Sequence, residues 1–60
     1  MSRTYAARRL LEHGPLTRSE FRNITGWKPS TVGAVLGYLI ACGTVRVGVG
    51  EGGFDLFVLA

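Results

Sequence analysis

Basic side chains are the main chemistry-bearing groups of this 60-residue sequence, and they are concentrated in its first half. Residues 1–28 hold six of the seven basic residues and two of the four acidic ones, a net charge of +4, whereas residues 29–60 carry a net charge of −1. The six are Arg3, Arg8, Arg9, Arg18, Arg22 and Lys28. Clustered cations favour an anionic partner, such as a phosphate backbone. A solvated helical surface is the alternative interpretation.

Groups suited to catalysis or metal binding are missing from the sequence. His13 and Cys42 are the only histidine and the only cysteine, and neither has further ligands at metal-binding spacing. No carboxylate pair or nucleophile–base set is present, and the glycines at 50, 52 and 53 lie between strand patterns, where a nucleotide loop would require a following helix. We therefore expect no enzyme, no cofactor and no metal site. Cys42 is expected to be a small core residue.

Length and cysteine content limit how the chain can be stabilised. Sixty residues allow one domain, which buries only about 60% of the surface that its unfolded chain exposes. A single cysteine excludes an internal disulfide and fits a reducing cytosol. No apolar stretch typical of a signal peptide follows the N-terminus, so a cytoplasmic location is expected.

Three segments have helical periodicity and recognisable ends. The first helix is predicted over residues 3–13, before Gly14 and Pro15. The second is predicted over residues 18–25, where Thr17 and Glu20 form a capping box. The third is predicted over residues 29–42. The residues expected to face inward are Ala6, Ala7, Leu10, Leu11, Phe21, Ile24, Val32, Val35, Leu36, Leu39 and Ile40. Trp27 is expected to pack over the turn before the third helix.

The remaining residues, 44–59, predict a β-hairpin, because apolar residues alternate on both sides of a glycine-rich turn. Its second strand is apolar on both faces, with Phe54, Leu56 and Val58 on one side. Phe57 and Leu59 on the other side, together with Tyr5 of the first helix, are expected to contribute to a contact between two subunits.

The order of these elements resembles the winged helix-turn-helix superfamily, in particular repressor-type members related to MarR and ArsR. The resemblance rests on residues 14–21 (GPLTRSEF), residues 25–32 (TGWKPSTV) and Leu36, Leu39 and residues 43–45. It implies an α+β fold of three helices and a C-terminal hairpin wing. It also implies that the third helix enters the major groove of double-stranded DNA, with Glu51–Gly53 at the wing tip.

The same resemblance implies a sequence-specific DNA-binding protein, a small repressor or accessory architectural factor that acts as a homodimer. The residues expected to contact DNA are Arg18, Arg22, Lys28, Ser30, Thr31, Ala34, Tyr38 and Arg46. The sequence departs from the usual pattern in two respects. The outward face of the third helix carries no arginine, asparagine or glutamine, the side chains that most often contact base edges, and the wing tip carries the acidic Glu51.

Two other functions fit parts of the sequence. The uncharged face of the third helix, which contains Gly33 and Gly37, also suits a winged-helix domain that contacts protein. The uncharged run over residues 29–45 is close to the shortest length that spans a membrane, about 17 residues, and the same two glycines match a helix-dimer pattern in lipid. The polar and glycine residues at both ends of the run argue against a span, and no membrane partner is expected.

Overall fold

The computed structural model describes residues 2–60, which form three helices and a three-stranded antiparallel sheet. Along the chain these are α1 (Arg3–Leu11), β1 (Leu16–Thr17), α2 (Arg18–Thr25), α3 (Pro29–Ala41), β2 (Val45–Val49) and β3 (Asp55–Leu59). The strand order is β1-β3-β2, so the last strand is the central one. The α+β class, the three helices and the C-terminal hairpin predicted from the sequence are confirmed, whereas strand β1 was not predicted.

Helix α2 begins and ends where its sequence signals place it. The Thr17 side chain accepts a hydrogen bond from the backbone N–H of Glu20 at 3.2 Å, and the Glu20 carboxylate accepts one from the backbone N–H of Thr17 at 2.8 Å. This is the predicted capping box. Gly26 ends the helix in the left-handed conformation with φ 72°, which L-residues with a side chain rarely adopt. The Trp27 side chain, which the sequence predicts to pack over the turn before α3, is half-buried and packs against the core.

The ends of the other two helices differ slightly from the prediction. Helix α1 stops at Leu11 instead of residue 13, and the turn that follows is closed by hydrogen bonds from the N–H groups of Glu12, His13 and Gly14 back to α1 carbonyls. Helix α3 stops at Ala41 in a Schellman motif. The N–H of Thr44 donates to the Leu39 carbonyl at 2.9 Å, and Gly43 has φ 77°.

The hydrophobic core lies where all three helices meet the inner face of the sheet. Its buried members are Ala7, Leu11, Phe21, Val32, Val35, Leu36, Leu39, Val45 and Phe57. Leu10, Leu16, Trp27 and Leu59 pack around them. No polar side chain is buried within residues 2–60, so the core is stabilised by apolar burial and dispersion.

Phe57 belongs to this core, and the expectation that it contributes to a subunit contact is therefore wrong. Its side chain is 1% exposed. Strand β3 is central, and Phe57 lies opposite Leu16 of β1 on one side and Val47 of β2 on the other. A side chain on the inner face of a central strand is covered by the helices, and cannot reach a second subunit. Leu59 is half-buried against the same core.

Three residues that were predicted to lie in the core are instead at the surface. Ile24 is 56% exposed, because α2 packs mainly against α3 and the sheet and leaves its side toward α1 open. Ile40 lies at the edge of the buried stripe of α3 in its last turn and is exposed. Cys42 is the residue after the last turn of α3 and is also exposed, so it is not a core residue.

The uncharged run over residues 29–45 does not form one helix. It is divided between α3, the turn at Gly43 and the start of β2. Within residues 2–60, no helix has both the length and the apolar character needed to cross a membrane.

Candidate nucleic-acid interface

A groove lies between the start of α2, the start of α3 and the end of the hairpin turn. We call it the arginine groove. It is lined by Thr17, Arg18, Ser19, Arg22, Pro29, Phe54 and Asp55. The capping box fixes the first turn of α2, so Arg18 and Arg22, one turn apart on the helix, both lie along this groove. Two of the basic residues identified in the sequence are thus brought together.

Arg18 is held in place by the side chains around it. Its guanidinium carbon lies 5.3 Å from the centroid of the Phe57 ring, a distance typical of a cation–π interaction. A Cβ atom added to Gly33 would lie 3.3 Å from the Nη1 atom of Arg18. The absence of a side chain at Gly33 therefore lets the guanidinium approach α3, so this side chain is positioned by both the sheet and the third helix.

Asp55 lines the arginine groove together with Arg18 and Arg22, but no carboxylate oxygen of residues 2–60 lies within 4.0 Å of either guanidinium group. The one ion pair among residues 2–60 joins Arg9 and Glu12 on α1, with Nη1 and Oε1 3.1 Å apart. Arg18, Arg22 and Lys28 are all exposed. Lys28 is the residue immediately before α3. These three cations therefore have no ion-pair partner among residues 2–60.

The outward face of α3 consists of small and uncharged residues. Ser30 and Ala34 are exposed, and Tyr38 is 59% exposed one turn further on. Thr31 is half-buried, so its hydroxyl is less accessible than that of Ser30. A Cβ atom at Gly37 would have no neighbour within 4 Å. This face has room for a close partner but few groups that recognise bases.

Tyr38 and Cys42, which are one helical turn apart in the chain, line the same surface pocket. Hydrogen bonding to the Cys42 side chain, followed by the negative charge that its sulfur can carry and by slight desolvation, raises the pKa of Tyr38 above its usual value. The neutral phenol, which can both donate and accept hydrogen bonds, is therefore favoured at this position.

Arg46 lies apart from the other candidates. It is opposite Val58, whereas the neighbouring Val47 is opposite Phe57 on the face that meets the helices. Side chains alternate along a strand, so Arg46 extends from the outer face of the sheet. The exposed hairpin tip carries Glu51 and no cation, since residues 47–55 contain only the acidic Glu51 and Asp55 as charged groups.

Sequence analysis did not identify Phe54 or Asp55 as neighbours of the arginines. Phe54 was assigned to one face of a strand, but the strand begins one residue later and the Phe54 ring is 68% exposed. The placement depends on the turn Glu51–Gly53, in which Gly52 has φ 75° and the N–H of Gly50 donates to the Phe54 carbonyl at 2.8 Å. The closely spaced glycines predict a turn, but they do not predict the direction in which the Phe54 side chain extends from it.

Comparisons with known proteins yielded no family model, curated protein or solved structure that matches this chain. Among residues 2–60 there is also no group of three or more histidine, cysteine, aspartate or glutamate side chains arranged to hold a metal ion.

Proposed function

We propose that this chain is a winged helix-turn-helix domain that binds double-stranded DNA. The observation that carries the proposal is the pair of arginines without an ion-pair partner, Arg18 and Arg22, in a groove that reaches the first residue of α3, with the exposed Lys28 immediately before that helix. In this proposal α2 and α3 are the helix-turn-helix pair and the β2–β3 hairpin is the wing. The three cations bind phosphates on either side of the groove that α3 enters.

Phosphate contacts supply most of the affinity in this proposal. Contacts with phosphate fix the position of a protein on DNA without distinguishing sequences. Direct base contacts come from the exposed face of α3, through the hydroxyls of Ser30 and Tyr38 and an apolar contact between Ala34 and a thymine methyl group. Because these groups are few, we expect modest sequence preference, with part of it arising from DNA shape.

The biological role that follows is occupancy of a DNA site, as a small repressor or an accessory architectural factor. A single 60-residue domain offers few phosphate contacts, so we propose that more than one copy binds at a site. The bound copies would block transcription or shape a nucleoprotein complex.

Fluorescence anisotropy with a labelled duplex tests this proposal. Replacement of Arg18, Arg22 and Lys28 by glutamine should weaken binding at least tenfold at low salt. A charge-matched control, in which Arg3, Arg8 and Arg9 are replaced by glutamine, removes the same three positive charges from α1 and should have a smaller effect. Equal losses for the two variants would mean that only net charge matters, and would contradict an interface at the arginine groove.

A protein-binding function is the second candidate, and the open, uncharged face of α3 around Gly37 favours it. The same variants discriminate between the two functions. A protein adaptor would keep its partner after Arg18, Arg22 and Lys28 are neutralised, whereas a DNA-binding domain would lose its ligand.

A further inference from the structure

The arginine groove contains two side chains for which phosphate contacts alone have no use. One is the aromatic ring of Phe54, which is 68% exposed, and the other is the carboxylate of Asp55, which is also exposed. A carboxylate repels phosphate, so a sugar–phosphate backbone gives Asp55 no role beside Arg18 and Arg22. Together the four side chains fit a ligand that carries an aromatic ring and hydrogen-bond donors as well as a phosphate.

The Phe54 ring is positioned by the hairpin turn. A Cβ atom added to Gly52 would lie 3.2 Å from Cε2 and 3.3 Å from Cδ2 of the ring, so this edge of the ring packs against a residue without a side chain. The Phe54 carbonyl accepts a hydrogen bond from the N–H of Gly50 at 2.8 Å, which ties the residue to the start of the turn. Phe54 therefore presents an ordered, exposed aromatic surface that is suited to stacking.

The carboxylate of Asp55 lies on the side of the sheet that meets the helices. Asp55 is the first residue of β3 and comes two positions before the buried Phe57, and alternate residues of a strand share a face. Within residues 2–60 the Asp55 carboxylate forms no ion pair. Its two oxygens are therefore available to accept hydrogen bonds from a ligand in the groove.

The size of the arginine groove limits what it can hold. It encloses about 310 Å³, near the lower end of the range for pockets that bind small molecules, about 300–1,000 Å³. A space of this size suits a single nucleotide. The base must be unpaired, because in a duplex both faces of a base are stacked on its neighbours and its pairing N–H groups are already engaged.

We propose that the arginine groove binds one unpaired guanine nucleotide of a DNA strand. The phosphate binds Arg22, the base stacks on Phe54, and the guanine N1–H and N2–H groups donate to the two oxygens of Asp55. Guanine is preferred because its pairing edge has two adjacent N–H donors, whereas thymine has one N–H between two carbonyl oxygens, which a carboxylate repels. This inference rests on the proposed DNA-binding function, since the duplex beside α3 brings the nucleotide to the groove.

Fluorescence anisotropy with three otherwise identical duplexes tests the proposal. One duplex is fully paired, one has a single bulged guanine and one has a single bulged thymine. The wild-type chain should bind the guanine bulge more tightly than the paired duplex by about fivefold or more, the lower end of base–aromatic stacking, and the thymine bulge should give a smaller gain. Equal affinity for the paired duplex and the guanine bulge would overturn this inference, while DNA binding through the arginines would stand.

Substitutions of the two unused side chains separate stacking from base recognition. Phe54→Ala should remove the gain for both bulges and leave binding of the paired duplex unchanged. Asp55→Asn should remove the difference between guanine and thymine, whereas binding of the paired duplex should stay the same or become tighter, because a charge that repels phosphate is lost. A gain that survives Phe54→Ala, or a guanine preference that survives Asp55→Asn, would contradict the proposed contacts.

Val49→Ala is the matched control on the same hairpin. Val49 is opposite Asp55 in the sheet and is 78% exposed, but it does not line the arginine groove. Its replacement should leave all three affinities unchanged. The three substituted residues are exposed, so each variant should remain folded, which circular dichroism would verify.

A free nucleotide offers the same base and phosphate, and titration with deoxyguanosine monophosphate, followed by NMR, distinguishes this source. The monophosphate should bind more weakly than the guanine bulge by about tenfold or more, because it lacks the other phosphates that the cations bind. Binding as tight as that of the bulged duplex would overturn a DNA strand as the source and indicate a free nucleotide. A chain that binds neither duplexes at low salt nor the monophosphate would contradict this inference and the proposed function together.

Discussion

The guanidinium group of Arg18 covers the ring of Phe57, with 5.3 Å between the guanidinium carbon and the ring centroid. This pair connects the candidate DNA-binding surface with the hydrophobic core, because Phe57 is buried at the centre of the sheet and Arg18 is exposed in the arginine groove. The same side chain is therefore expected to contribute to both stability and ligand binding.

Arg18→Ala should lower the free energy of unfolding by about 0.5–1 kcal/mol, the usual contribution of an exposed cation–π contact, and should also weaken DNA binding. Arg22→Ala is the matched control on the same helix, because Arg22 stacks on no aromatic ring among residues 2–60. It should weaken DNA binding with little change in stability. Urea denaturation and anisotropy on the same preparations measure both effects. Equal stability of the two variants would contradict a role for the Arg18–Phe57 contact in folding.

Thr17→Ala should destabilise the domain by about 1 kcal/mol, because it removes the side-chain acceptor of the capping box. In a domain of this size that corresponds to a fall in Tm of about 4–8 °C, measured by circular dichroism. Asn23→Ala on the exposed side of the same helix should leave Tm unchanged or raise it slightly. A smaller effect at Thr17 than at Asn23 would show that the capping box contributes little.

Phe57→Ala should destabilise the domain by about 3–5 kcal/mol, since it leaves a cavity in the core, and a domain this small should then be largely unfolded at every protein concentration. Phe54→Ala, by contrast, should change stability by less than about 0.5 kcal/mol, because the ring is exposed. Thermal melts at low micromolar concentration compare the two. If Phe57→Ala remained folded but lost only self-association, the residue would be an interface residue and not part of the core.

The phenol of Tyr38 should ionise at a higher pH than an ordinary tyrosine, because hydrogen bonding to Cys42 and then the charge of its sulfur raise the pKa of Tyr38. The folded chain holds the phenolic proton more tightly than the unfolded chain. Stability should therefore fall as the pH rises from the ordinary tyrosine value through the raised pKa of Tyr38. Ultraviolet titration should show that the Tyr38 phenol ionises above the ordinary tyrosine range. In Cys42→Ala this upward shift of the Tyr38 pKa should disappear. An unchanged titration in Cys42→Ala would contradict this cause.

The parts of the fold that the sequence predicts depend on local signals. Thr17 and Glu20 are three residues apart, and Gly26 follows the last helical residue, so both ends of α2 follow from neighbouring residues. The stripe from Val32 to Leu39 is likewise a property of one helix. Each of these signals concerns a single element, and none depends on how the elements are arranged.

The sequence predictions that the structure corrects concern residues whose surroundings depend on distant parts of the chain. Strand β1 has two residues and no periodicity of its own, and it exists because Leu16 and Thr17 pair with β3 some forty positions later. That pairing makes β3 the central strand and buries Phe57. Ile24 is outside for the related reason that α2 packs toward the sheet and leaves a groove beside α1.

The sequence predicts only part of the candidate site, because some of its features depend on local signals and others on contacts between distant residues. Arg18 and Arg22 are one helical turn apart, so their common side follows from helix geometry. The approach of Phe54 to them depends on the backbone path through Gly52, and the separation of Arg46 depends on the register of β2 with β3. Neither is visible in the residue pattern.

The salt dependence of duplex binding tests the central claim most directly. The logarithm of the binding constant should fall linearly with the logarithm of salt concentration, and the slope should decrease in magnitude by about 0.9 for each phosphate-contacting residue that is neutralised. Arg18→Gln, Arg22→Gln and Lys28→Gln should each produce that decrease, and Arg3→Gln should not. No binding at low salt, or a slope unchanged in the triple variant, would contradict DNA binding through the arginine groove.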